Sequence, residues 1–200
     1  MGTQLRNLIL ANNPQAADIA SFLNGVGLEE KISATRSLSG PRVQRRLWDT
    51  VATNPRVVLS DLVPSGHQPL KPVVFHGKNS LPAFTTFEKI CCRPPSAQAA
   101  DELWGYNETV VRGLVGPGYY VVRSTAEAKL GGAAFDYTLL PGGTADGWPE
   151  LRENHKGVSR LVYAGMVDYM RRVADDVFIG SATKGNRELG SYFLLVREID

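Results

Sequence analysis

Three groups of residues carry the types and spacings that could do chemistry. The stretch FHGKNSLPAFTTFEK places His76, Lys78 and Asn79 between two strand-like runs. A histidine and a lysine at such a break can bind an anion or move a proton, whereas Gly77 and Asn79 are ordinary turn formers. Turn chemistry alone accounts for Gly77 and Asn79 but does not require His76 or Lys78. Asp136, between Phe135 and Tyr137, has two readings: a solvated outward aspartate, which is favoured, or a carboxyl raised by apolar neighbours into the range of general acid–base catalysis. The third group is Asp168, Arg171, Arg172 and Asp175, whose spacing suits ion pairs along one helical face. Its functional alternative is Arg171 at a pocket mouth, taking a ligand carboxylate in a two-pronged hydrogen bond.

Other chemistries find little support. His67, His76 and His155 are the only three histidines, and none forms an HxH or HExxH pattern, so no metal site is expected. The two cysteines, Cys91 and Cys92, are adjacent rather than in CxxC spacing; neighbours on a strand point to opposite faces, which predicts free thiols. No GxSxG occurs. The glycines of Pro141–Gly147 match neither GxxxxGK[ST] nor GxGxxG and read as a loop. No cofactor is expected. Twenty-two basic and 20 acidic side chains leave a formal charge of +2, which gives no electrostatic case for nucleic acid or an anionic membrane as the main partner. Arg42, Arg45 and Arg46 read as a solvated helix face, or else as a basic helix that docks a partner. With no span for a bilayer, no leader pattern and two unpaired thiols, the chain reads as cytoplasmic.

The elements that must position these residues change character along the chain. Ala16–Leu23, residues 28 to 38 and residues 41 to 51 follow helical spacing, with Pro41 suited to a first helical turn. From Pro69 the texture becomes strand-like: 72–76, 85–92, 119–123, 133–140, 160–163, 177–183 and 189–197. Residues 103–106 and 109–115 fit strand or short helix. Met166, Val167, Met170 and Val173 keep helical spacing, which leaves 163–174 open between the two. Lys184–Arg187 reads as a hairpin connection. Twenty Gly and 12 Pro favour many turns over a few long helices. Length and an apolar content of 43% fit one domain over residues 1–200, with a helical part over 1–65 and a β-rich part over 66–200.

The segment GMVDYMRRVADDVFIG, followed by YFLLVR, resembles the C-terminal part of small bacterial lipocalin-like barrels, including GXWXG-type proteins. The likeness covers about a fifth of the chain, and a GXWXG segment is lacking: Gly147-Trp148 and Leu103-Trp104-Gly105 are fragments of one. It implies a barrel with an apolar pocket rather than a reaction. The expected fold is therefore α+β, with N-terminal helices on a mostly antiparallel small barrel or strongly curved sheet. The expected function is binding of a small hydrophobic or amphipathic metabolite. Its walls would come from Tyr119, Phe135, Tyr137, Met166 and Phe193, and its polar anchors from His76, Lys78 and Arg171. The alternatives are a cofactor-independent cyclase, isomerase or dehydratase using Asp136 or His76, and an interaction module working through the arginine helix. The sequence does not decide the oligomeric state, and a homo-oligomer stays open.

Overall fold

The computed structural model describes residues 1–95, 101–126, 131–185 and 187–198. Four helices come first: α1 (Gly2–Leu10), α2 (Ala16–Asn24), α3 (Leu28–Arg36) and α4 (Pro41–Thr50). Pro41 opens α4 after Gly40, whose φ of +87° is a conformation that glycine takes without strain. A single turn, α5 (Leu59–Leu62), leads into the strands β1 (Val73–Asn79), β2 (Thr86–Cys92) and β3 (Glu102–Glu108). After the short α6 (Arg112–Val115) come β4 (Tyr120–Ser124) and β5 (Ala133–Asp136). The short α7 (Ser159–Val162) precedes β6 (Met166–Ala174), β7 (Val177–Lys184) and β8 (Arg187–Glu198).

The eight strands form a closed antiparallel barrel in sequence order, sealed where β1 pairs with β8, from Val74 opposite Glu198 to Asn79 opposite Phe193. Closure leaves no unpaired sheet edge, the usual aggregation liability of short strands. Alternation then sorts the side chains. Val73, Phe75 and Gly77 of β1 point inward, as do Cys91, Lys89 and Phe87 of β2, which stand opposite them in that order. Across the barrel, Phe135 of β5 is paired with Asp168 of β6, and Asp168 with Ala182 of β7.

Two cores share the wall made by β6, β7 and β8. Inside, Phe75, Tyr120, Val122, Phe135, Phe178 and Leu195 belong to one buried cluster. Outside, Val173, Val177, Ile179, Tyr192, Leu194 and Val196 meet Leu5, Ile9, Leu23, Val43, Leu47 and Trp48 of the helices. The helices therefore cover the outer face of these strands and leave the barrel interior to its own side chains. One barrel end is closed by residues 57–63: Val57, Leu62 and Val63 are buried in the inner cluster. That plug is tied down by Arg93, which donates to Val63 O (2.6 Å) and Pro64 O (2.8 Å), and by the Arg172–Asp61 ion pair.

Two inward glycines make room for phenylalanine rings near the other end. A Cβ on Gly180 would lie 2.1 Å from the Phe193 ring, and one on Gly77 would lie 2.6 Å from the Phe87 ring. The two rings they admit sit edge to face, 6.0 Å apart. Gly180→Val should therefore force Phe193 out of place and cost about 1–3 kcal/mol, as overpacking does. Urea unfolding checks this; an unchanged midpoint would show that the ring moves freely.

Two local expectations are corrected, and the segments left open between helix and strand are decided. Residues 166–174 form a strand, although Met166 and Met170 suit a helix, because a spacing of four satisfies both periods. Residues 160–163 are not a strand; they fall in and just after the single turn α7. Strand β5 ends at Asp136, four residues before the expected limit. Residues 103–106 lie in β3, and the 109–115 stretch holds the turn α6. Lys184 and Arg187 pair across the β7–β8 hairpin; Asn186 in that connection, and residues 96–98 of the loop after Arg93, lie outside the described residues.

Candidate functional site

The end of the barrel opposite the plug holds a cavity of about 440 Å³. Its wall is apolar, with Phe87, Val115, Tyr163, Met166 and Phe193 contributing, and the loop from Asn79 to Phe84 forms part of its mouth. Apolar tips crowd this end: Phe84 is 67% exposed, Leu114 71% and Leu161 80%. A mouth of this composition admits an apolar body more readily than a charged one.

Four polar side chains gather at the cavity floor: Lys89 of β2, Asn107 of β3, Asp168 of β6, and Tyr137 just beyond β5. Each points inward because it alternates with core residues: Lys89 lies between Phe87 and Cys91, and Asp168 between Met166 and Met170. The Lys89 ammonium donates to Asn107 Oδ1 at 3.0 Å and to the Tyr137 hydroxyl, and lies 3.6 Å from Asp168 Oδ2. Asn107 Nδ2 donates to Gly118 O (3.1 Å) and to the Tyr137 hydroxyl (3.2 Å). Asp168 Oδ1 is buried and accepts no hydrogen bond. Rings surround the lysine: its nitrogen lies 4.8 Å from the Tyr120 centroid, 4.9 Å from Phe135, 5.0 Å from Tyr137 and 5.1 Å from Phe193.

Burial acts on both members of the ion pair. It lowers the Lys89 pKa, with the Asp168 charge opposing, and it raises the Asp168 pKa against the pull of Lys89 and Tyr137. The ring faces favour a cation on Lys89 and so offset part of its desolvation. Both shifts run toward the neutral pair, an amine beside a carboxylic acid, which holds the same number of protons as the ion pair. Tyr137 and Tyr120 are pushed well above the ordinary phenol value by burial, so neither ionises at neutral pH.

The sequence-predicted residues fall on both sides of the barrel wall. Tyr137, Met166 and Phe193 line the cavity, while Phe135 lies in the inner core within reach of the Lys89 nitrogen. His76 sits on the outer face, held between Glu198 (2.8 Å) and Glu88 (3.4 Å), which corrects its placement at the pocket. Lys78 alternates to the same outer face and donates to Thr85 Oγ1 at 2.7 Å. Tyr119 is also outside, packed with Tyr106 and Trp148, and donates to Pro149 O. Arg171 lies against α4, its guanidinium 3.8 Å from the Trp48 ring centroid and donating to Trp48 O at 2.7 Å. Asp136 is outward too, bound by Arg123 at 2.7 Å and by Thr138.

The expected helical pairing of Asp168 with Arg171 or Arg172 gives way to other partners: on a strand Asp168 and Arg171 face opposite ways, Arg172 pairs with Asp61, and Asp168 pairs with Lys89. Cys91 faces the barrel interior, where its thiol meets the Tyr120 hydroxyl at 3.2 Å, and Cys92 faces outward. Both are free, and burial pushes each thiol up to about 12, so neither is a reactive thiolate. Among the arginines of α4, Arg46 donates to Ala11 O and Asn12 O just beyond α1, and Arg45 pairs with Asp49. Among the described residues, no three histidine, cysteine or acidic side chains gather as a metal site, and no helix is long and apolar enough to cross a membrane.

Lys89 and Asn107 are not among the residues singled out from the sequence, and Asp168 is singled out there only for ion pairs on a helical face. The signal for Lys89 was present: Phe87, Lys89 and Cys91 share one strand face, and a lysine between two apolar neighbours there has to find a buried partner. No family model matches this chain, and no curated protein or solved structure matches it.

Proposed function

We propose that the barrel binds a small amphipathic molecule, apolar body between the aromatic walls and polar end on the Lys89–Asp168 floor. The observation that carries this reading is the cavity's polarity: an apolar wall ending in one buried ion pair, whose lysine also donates to Asn107 and Tyr137. Because the pair is neutral overall, it suits a carbonyl or hydroxyl better than a free carboxylate, which would meet Asp168. Two buried, unpaired thiols support a reducing, cytoplasmic setting. The small net charge supports a small molecule rather than nucleic acid as the partner.

Calorimetric titration with hydrocinnamyl alcohol tests the reading. Ala182 lines the cavity and stands opposite Asp168, so the indole of Ala182→Trp occupies the floor. That variant should bind at least about tenfold more weakly, about 1.4 kcal/mol. His76→Phe and Lys78→Met, on the outer face, should bind as the parent does. Equal affinity in Ala182→Trp would remove the cavity from the function.

One observation favours a second reading, acid–base turnover in the same cavity: Asp168 Oδ1 is buried without a partner beside a lysine. Proton transfer would then fall to Lys89 and Asp168, since His76 and Asp136 lie outside the barrel. Conversion of a bound alcohol or aldehyde probe to a new species, seen by NMR as an isomer or by mass as loss of water, would mark turnover, and quantitative recovery of the unchanged probe would leave binding as the function.

A further inference from the structure

Among the described residues, Lys89 is the only lysine that borders the cavity. We propose that Lys89 is a covalent attachment site: its ε-amine condenses with the carbonyl carbon of an apolar aldehyde or ketone in the cavity, giving an imine with Asp168 as its counter-ion. The inference rests on the cavity being a ligand site and adds the chemical class of the ligand.

The geometry supplies each part of the condensation. The Lys89 nitrogen lies at the floor of an apolar cavity, so a carbonyl carried on an apolar body arrives beside it. Asp168 stands 3.6 Å from that nitrogen, with its second oxygen unpaired and buried. Tyr137 and Asn107, both bonded to the lysine, are placed to donate to a carbonyl oxygen once it displaces one of those contacts. The ring cage that surrounds the nitrogen suits an iminium cation as well as an ammonium.

The atoms balance without an outside reagent. With the proton of the pair on Asp168, Lys89 is a neutral amine, and its lone pair attacks the carbonyl carbon. The N–H proton passes to the alkoxide oxygen, giving a carbinolamine. The nitrogen lone pair then forms the C=N bond as the C–O bond breaks. Asp168 protonates the departing hydroxyl, which leaves as water. The products are an iminium on Lys89, a carboxylate on Asp168 and one water; nothing is oxidised or reduced. Burial favours the starting neutral pair, since it lowers Lys89 and raises Asp168.

The test treats the full chain at neutral pH with hydrocinnamaldehyde and sodium cyanoborohydride, which reduces an imine to a stable amine. Intact mass and peptide mapping then locate the adduct. The expected result is one phenylpropyl group per chain, on Lys89, at aldehyde concentrations that leave the exposed Lys156 and Lys184 unmodified. Lys89→Arg, which keeps a cation that cannot form an imine, should lose the adduct; circular dichroism shows whether that variant is folded. The mapping on the parent chain decides the matter independently of the variant. An unmodified Lys89 in a chain that binds hydrocinnamyl alcohol overturns the imine and leaves the cavity reading standing. A chain that binds neither alcohol nor aldehyde overturns both.

Discussion

Asp168→Asn should destabilise the fold by about 3–5 kcal/mol near neutral pH, the usual cost of stripping one partner from a buried ion pair. Lys89 and Asp168 are almost fully enclosed, with side-chain exposures of 2% and 5%, so the little solvent that reaches them is a poor substitute for the lost carboxylate. The sign of the pH dependence follows from the direction of the lysine shift. Burial already lowers the folded-state pKa of Lys89, and the Asp168 charge is what holds it up. Without that charge it falls further, while the unfolded chain keeps an ordinary lysine near 10.4. Between those values the unfolded state binds more protons, so the variant gains stability as pH rises and loses it as pH falls.

The stability gap between parent and variant should therefore narrow from about pH 7 to about pH 10, by at most about 1.4 kcal/mol per unit. Ionisation of the buried thiols on unfolding acts alike in both proteins and cancels in that difference. Urea unfolding at several pH values measures it, and a constant gap would mean that Lys89 stays charged throughout. Replacing both members, Lys89→Met with Asp168→Leu, should restore or exceed parental stability, because an apolar pair carries no desolvation cost. That protein would keep its barrel and lose the polar floor.

Trp48→Ala should cost a comparable amount, about 3–5 kcal/mol, for a different reason. Trp48 is only 6% exposed and fills the junction between α4 and the outer face of the barrel, with Tyr192 at 6.2 Å and the Arg171 guanidinium at 3.8 Å. Truncation leaves a cavity in the shared wall and strips Arg171 of its stacking partner. Thermal unfolding of the variant checks the loss. A change below about 1 kcal/mol would mean that the helices settle onto the barrel without this ring.

The helices and the β-rich remainder were legible because their periods differ: Val43, Leu47 and Val51 mark one helix face, whereas the runs after Pro69 alternate or carry β-branched residues. The site was less legible. In VVFHGKN either set of alternate residues can face inward, and the inward set proved to be Val73, Phe75 and Gly77 rather than His76 and Lys78. Met166 and Met170 share a face in helix and strand alike, so their spacing hid the inward turn of Asp168. Lys89 meets Asp168 only because β2 and β6 belong to one closed cylinder, and no local pattern encodes which strands curl to face each other.

The seam between β1 and β8 has a consequence for how the chain is made. Val74 bonds opposite Glu198, so the first strand waits for more than half of the chain before its partner leaves the ribosome. Until then β1 offers a free edge to any neighbouring chain, and α1 to α4 have no β6–β8 surface on which to lay their apolar sides. Loop closure over such a span is slow compared with hairpin formation, so the seam sets the pace of assembly. A nascent chain stalled before β8 should be held by chaperones, and release of that strand should convert it to a protease-resistant form at the rate of seam closure.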